Sequence, residues 1–211
     1  MGIAERKERE KEQRRSDIID AAESIFFSKG IENATMDEIA EKAELSKGTL
    51  YLYIKSKEEL LFAINLRAIK ILLTMFKETI SQKKSTIENL IEIGRAYIRF
   101  SQKYEHYFKT LLHFEGSENL NLSHDLYAQM CQQGEDPMSF LTEMLRKGAD
   151  DGTVRSDIAP GVLAHCLWSQ TTGILKLTKI KDFHIDLKTH SEDEIINAHL
   201  DIIYHGILKS S

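Results

Sequence analysis

Cysteine is nearly absent from this chain: Cys131 and Cys166 are the only two in 211 residues. They form no CxxC and no disulfide framework, which fits a reducing, cytoplasmic setting, and both are expected to be buried packing residues. Proline is just as scarce, with two residues, and glycine numbers 11. Long stretches therefore carry no helix breaker, and few runs alternate with a period of two. An all-α fold follows. No apolar run approaches the roughly 18 residues of a membrane span, and the charged opening MGIAERKEREKEQRR is no signal peptide. A basic excess is missing too. The net charge of −5 and pI of about 5.9 exclude a general nucleic-acid coat but leave room for one local site. There is no HExxH, GxSxG, P-loop or GxGxxG, and the eight histidines show no zinc spacing. No catalytic residue, metal ligand or cofactor is expected. What remains, at 42% hydrophobic and 29% charged, is enough for a substantial core in one large or two small domains.

The densest information lies between Thr35 and Glu59, TMDEIAEKAELSKGTLYLYIKSKEE. Thr35-Met36-Asp37-Glu38 reads as a capping box, Ser46 as a second N-cap, and Ser56-Lys57-Glu58-Glu59 as another box opening a long apolar-periodic run. Between the first two starts fits one short helix, followed by the turn Ala43-Glu44-Leu45. Two short helices joined so tightly form a helix-turn-helix, whose second helix suits the DNA major groove. From Leu45 to Lys57 there are three lysines and no acid, whereas acids crowd both flanks. Such a segment can approach phosphate without repulsion. Gly48 lets backbone come close to a surface. Thr49, Tyr51 and Tyr53 offer hydroxyls for phosphates or base edges, and Lys47 offers a cation.

Around this element the helical pattern continues. Helix 1 is expected from Ser16 to Lys29, with Ile18, Ile19, Ala22, Ile25 and Phe26 as its core stripe and Gly30 at its C-terminus. Residues 1–15 form a charged arm with i,i+4 pairs Glu5/Arg9 and Glu10/Arg14. It is either a solvated tail, able to extend helix 1, or a contact to phosphates or a minor groove. Helix 4 is expected to reach Ser81. Further starts are marked at Ser85 and Ser191 by capping boxes and at Asp136-Pro137 by a cap before a first-turn proline. Another helix is expected from about His124 to Gln133.

The order of helix 1, TMDEIAEKAELSKGTLYLYIKSKEELL and a long fourth helix resembles the tetracycline-repressor (TetR) family of bacterial transcription regulators. The specific match covers roughly Ile18 to Ile64, and the remainder matches in length and helical character. The resemblance implies a helix-turn-helix DNA-binding domain over 1–64 and a helical effector-binding and dimerisation domain over 65–211, joined within helix 4. It implies a phosphate contact from Thr35. Lys47, Gly48, Thr49 and Tyr51 would face the groove, and Tyr53 and Lys57 would clamp the backbone. Leu52, where some members carry an aromatic, is expected to pack and is assigned no contact. For the larger domain it implies a pocket for a small hydrophobic effector, with Tyr104, Tyr107, Phe108, Phe114, Tyr127, Met130, Phe140, Met144 and Trp168 as candidate lining. It also implies a homodimer through the last two helices, with Leu163, Leu167, Thr171, Ile174, Ile196, Leu200, Ile203 and Ile207 as candidate contacts. The expected function is a ligand-responsive repressor on a palindromic operator. Two other classes compete: a helical enzyme, which lacks any motif, and a helical protein-interaction module, which leaves the acid-free segment unexplained.

Overall fold

The computed structural model describes residues 2–115, 135–178 and 190–209. The helix expected at 124–133 and the residues Tyr127, Met130 and Cys131 lie outside the described residues, as does the side chain of Phe114. Nine helices occur among the described residues: α1 Ile3–Lys29, α2 Met36–Lys42, α3 Lys47–Tyr51, α4 Lys57–Thr79, α5 Thr86–Lys103, α6 Glu105–Glu115, α7 Pro137–Asp150, α8 Pro160–Thr178 and α9 Glu192–Ile207.

The boundaries follow from caps. Thr35, Ser85 and Ser191 each accept the third helical N–H while the glutamate three residues on reaches back, so three of the four boxes form as expected. Asp136 Oδ1 accepts from the N–H groups of Met138 and Ser139 at 2.9 and 3.0 Å. At Ser56 the box is split. The Glu59 N–H reaches Ser56 Oγ at 3.3 Å, but the Glu59 carboxylate accepts from the Lys55 N–H at 2.8 Å. α1 starts at Ile3 rather than Ser16, because the charged arm extends the helix, as its i,i+4 spacing allowed. It is supported by Arg6–Glu10 at 2.8 Å rather than the two expected pairs, and by Gln13 donating to Asp17 at 2.9 Å. α4 ends two residues earlier than expected, because Asn89 holds the connection. Its side chain accepts from Ser81 N–H and donates to the Ser81 and Lys84 carbonyls.

The described chain forms two compact units. The first runs to Ala68 and includes α6 from His106; the second takes Ile69–Glu105 and the remaining described helices. A division at residue 64 and a larger domain containing all of α6 were the expectation. Helical periodicity says that α6 is amphipathic, but not what it packs on.

The first unit buries Ile18, Ala22 and Phe26 of α1, Ile39 and Ala40 of α2, Leu50 of α3, Ile54, and Leu60, Leu61 and Ile64 of α4. α2 and α3 are seven and five residues long, well under the roughly 12–15 that hold a helix in isolation. Their caps and this core stabilise them. α6 docks by rings: His106 stacks on Phe27 at 4.8 Å and Tyr107 meets it edge-on at 5.1 Å. Burial pushes the Tyr107 hydroxyl upward in pKa, with Glu23 as its hydrogen-bond partner. Arg67 joins the same node, 3.0 Å from Glu23 and 2.6 Å from Asp20.

In the second unit, α7 packs on α8 and α5, and α9 packs on α8 and α5. Phe76, Phe100, Leu145 and Leu175 are fully or almost fully buried. Gly148 is required by packing: an added Cβ would stand 2.4 Å from Val154 Cγ2. Val154 is itself 1% exposed and bridges to Leu208. Gly148→Ala is expected to destabilise this unit by about 1–3 kcal/mol through overpacking. Adding Val154→Ala should recover part of that loss. Additive losses in urea denaturation would count against the close contact.

Candidate nucleic-acid interface

The α2–turn–α3 element is held from four sides. Thr35 Oγ donates to Glu38 at 2.7 Å and accepts from its N–H. Lys29 pairs with the other Glu38 oxygen. Glu44 takes the left-handed conformation, φ 55°, that reverses the chain between the helices. Ser46 accepts from Thr49 N–H at 3.1 Å and starts α3. Held mainly by its hydrogen bond from Lys29 and then by Thr35, the Glu38 carboxyl sits at about 2, well below its usual 4.5.

On this frame the expected contact residues other than Lys57 are exposed or half-buried. Lys47, Gly48 and Thr35 are exposed, Thr49 and Tyr53 are half-buried, and Tyr51 is 42% exposed. An added Cβ at Gly48 would meet only Ser46 Oγ, at 3.9 Å. The fold therefore does not need glycine here, although a helix loses about 0.5–1 kcal/mol by having it.

Three features were not legible beforehand. Lys47 pairs with Asp37 of α2 at 2.6 Å, and Asp37 holds its ammonium pKa above the usual value. Both partners are more than half exposed, so the pair is weak and a phosphate can displace Asp37. Leu52, expected to pack, is 80% exposed directly after α3. Neighbouring Leu50 fills the core, and the turn that follows aims Leu52 the other way. Lys57 points inward: its Nζ donates to the carbonyls of Ile31 at 2.7 Å, Ala34 at 3.1 Å and Glu32 at 3.4 Å. All three of its donors tie the loop before α2 to the start of α4.

The expected effector residues that are described do not all line one cavity. Tyr107 and Phe108 belong to the first unit, where Phe108 is fully buried. Trp168 stacks on Tyr97 at 4.6 Å, and Tyr97 bonds Thr172 at 2.9 Å. These two rings, with Gly94, Leu141, Leu200 and Ile203, line an apolar cavity of about 40 Å³ in the second unit. Tyr104, Phe140 and Met144 do not line it; Tyr104 instead lies beside Phe100, Phe140 faces Phe76, and Met144 is buried. The expected dimer residues turn inward as well. Leu163, Thr171, Ile196, Leu200, Ile203 and Ile207 are at most 9% exposed in the single chain, and Leu167 and Ile174 are half-buried. Thr171 bonds His199 at 3.0 Å within this core. The apolar side chains facing outward on α8 and α9 are Val162, 57% exposed, and Ile202, 68% exposed. Cys166, expected to be buried, is exposed beside them on α8.

Residues 18–64 match the family model described as bacterial regulatory proteins, tetR family. The HTH-type transcriptional regulator SrpR of Pseudomonas putida is 27% identical over 143 residues, which cover 68% of this chain and 64% of SrpR. The fold matches that of a tetR-family regulator from Shewanella sp. PV-4, with a TM-score of 0.69 and 16% identity over 93% of this chain and 99% of that one. It also matches SmeT in a triclosan complex, with a TM-score of 0.64 and 22% identity over 94% and 93%.

The Glu38 contacts carry a pH signature. A carboxyl lowered on folding contributes stability that is present above its unfolded pKa and lost as pH falls towards its folded one. The stability difference between the unmodified protein and Glu38→Gln should therefore be constant above pH about 4.5 and shrink as pH approaches about 2. A difference independent of pH in acid urea titrations would contradict the Lys29–Glu38–Thr35 arrangement.

Proposed function

Since residues 18–64 match the tetR family of bacterial regulatory proteins, we propose that the chain is a member of that family, a ligand-responsive repressor that acts in the cytoplasm and binds an inverted-repeat operator as a homodimer. The observation that carries this reading is Gly48: a helical glycine on an exposed surface, costly to α3 and, among the described residues, crowded by nothing nearer than Ser46 Oγ at 3.9 Å. A close approach of DNA backbone or base edges supplies the missing reason. Around it, Lys47 reaches a phosphate or a guanine once Asp37 is displaced, and Thr49 and Tyr51 meet base edges. Leu52 offers apolar contact to a thymine methyl, and Thr35 and Tyr53 position the backbone. Lys57 acts indirectly, by holding the loop that launches α2.

A single helix-turn-helix gains affinity from a second copy at the next half-site. The dimer contact we propose uses the outward faces of α8 and α9, around Val162, Cys166 and Ile202, rather than their inward faces. For the effector we propose the cavity beside Tyr97 and Trp168. At about 40 Å³ it holds about one water, whereas small-molecule sites run to about 300–1,000 Å³. An effector therefore binds a rearranged, opened state, and the equilibrium moves by its difference in affinity for the two states. The solved complex of SmeT with triclosan supports small-molecule capture in this fold. α4 contributes residues to both units, which makes it the element through which opening alters DNA affinity.

Selection from random duplex DNA by the full-length protein should enrich an inverted repeat. Gly48→Ala should then lose about 1–3 kcal/mol of affinity for the winner while gaining about 0.5–1 kcal/mol in folding stability. No enriched sequence, or an unchanged affinity in Gly48→Ala, would sink the reading.

A further inference from the structure

The extension of α1 back to Ile3 creates a surface with no counterpart in the helix-turn-helix itself. Lys7, Lys11 and Arg14 recur at i, i+4 and i+7, so they stand on one stripe of the helix. Together with Tyr53 they line an open cleft of about 450 Å³ in the first unit. Two acids share the cleft, Glu10 and Asp17, and both are engaged along the helix. Glu10 pairs with Arg6 at 2.8 Å and Asp17 accepts from Gln13 at 2.9 Å. Among the described residues no ion pair involves Lys7, Lys11 or Arg14, although the neighbouring Arg15 is tied to Glu59 at 2.8 Å. The stripe is thus a row of three cations in a chain whose net charge is −5.

We infer that this stripe is a second DNA contact, a phosphate-binding track that carries the interface of α3 onto the duplex flanking the half-site. The inference rests on the DNA-reading function proposed above. Two observations point to duplex DNA. The cleft reaches Tyr53, two residues beyond the end of α3 and one of the proposed backbone contacts. The length fits as well: seven residues of helix rise about 10 Å, and one strand places a phosphate about every 3.4 Å along the axis, so the stripe spans about three phosphates. Lysine and arginine on flexible stems need no base identity for this, so the track adds affinity and salt dependence without altering the sequence read.

The test uses the full-length protein and the inverted repeat it selects, prepared flush at its ends and again with flanking duplex. Each complex is titrated with salt. The unmodified protein should bind the flanked duplex more tightly than the flush one. The triple variant Lys7→Gln/Lys11→Gln/Arg14→Gln should lose that advantage, and its salt dependence should be less steep by about 2 to 3 in log–log slope. Its deficit relative to the unmodified protein should accordingly shrink about 40-fold between 50 and 200 mM salt. Arg9→Gln, on the opposite face of the same helix, should leave the slope unchanged, and Lys11→Arg should retain it. Helix content and thermal midpoint of the triple variant serve as the folding control. If the unmodified protein selects an operator but the folded triple variant keeps its slope and its flank advantage, the track is overturned and the α3 reading stands. If the unmodified protein binds no duplex at low salt, the proposed function fails and the track with it.

Discussion

One ammonium group sets the geometry on which the first unit depends. Lys57 opens α4, and its three donors converge on the carbonyls of Ile31, Glu32 and Ala34. Those carbonyls belong to the turn between α1 and α2, whose own backbone bond runs from the Ala34 N–H to the Ile31 carbonyl at 3.3 Å. A cation that bonds three carbonyls at once fixes that loop far more tightly than its sequence would. Thr35, the next residue, then starts α2, the left-handed Glu44 turns the chain, and Ser46 starts α3. Each step has little freedom left by the one before it. The recognition helix of five residues is too short to form alone, so its direction is inherited from this series rather than from its own stability.

The charge pattern acquires its meaning on that frame. The chain is acidic overall, yet the surface of α3 carries no acid of its own. Its one cation is held by Asp37, across the turn. An exposed pair of this kind costs little to break, so Asp37 keeps Lys47 oriented without withholding it from phosphate. Gly48 and Leu52 complete a surface whose composition the fold itself does not require. In the second unit the contrast is with closure. Tyr97 and Trp168 stack beside a cavity of about 40 Å³, so the proposed effector would select a more open arrangement.

Much of this was legible in the residues, and the reason differs by feature. Caps are local: Thr35, Ser46, Ser85, Asp136 and Ser191 act within three residues of themselves, so pattern and structure agree. The all-helical class follows from period and from the scarcity of proline, and the fold comparison agrees with it. Partnership across the chain is not local. The periodicity of α6 gave no sign that His106 and Tyr107 dock on Phe27. The stripes of α8 and α9 looked suited to a partner chain, but Leu200 and Ile203 fill their own core while Val162 and Ile202 face outward. Two amphipathic faces are hard to rank when both carry apolar residues. The inward turn of Lys57 was hidden for another reason: sequence shows a cation but not the carbonyls that await it.

The most direct test of DNA reading through α3 is lysine acylation followed by mass spectrometry, with and without the selected duplex. Lys47 should be protected by DNA. Lys176, exposed on α8, should react equally in both states, and Lys57 should react slowly in both. Equal reactivity of Lys47 with and without bound DNA would contradict an interface built on α3.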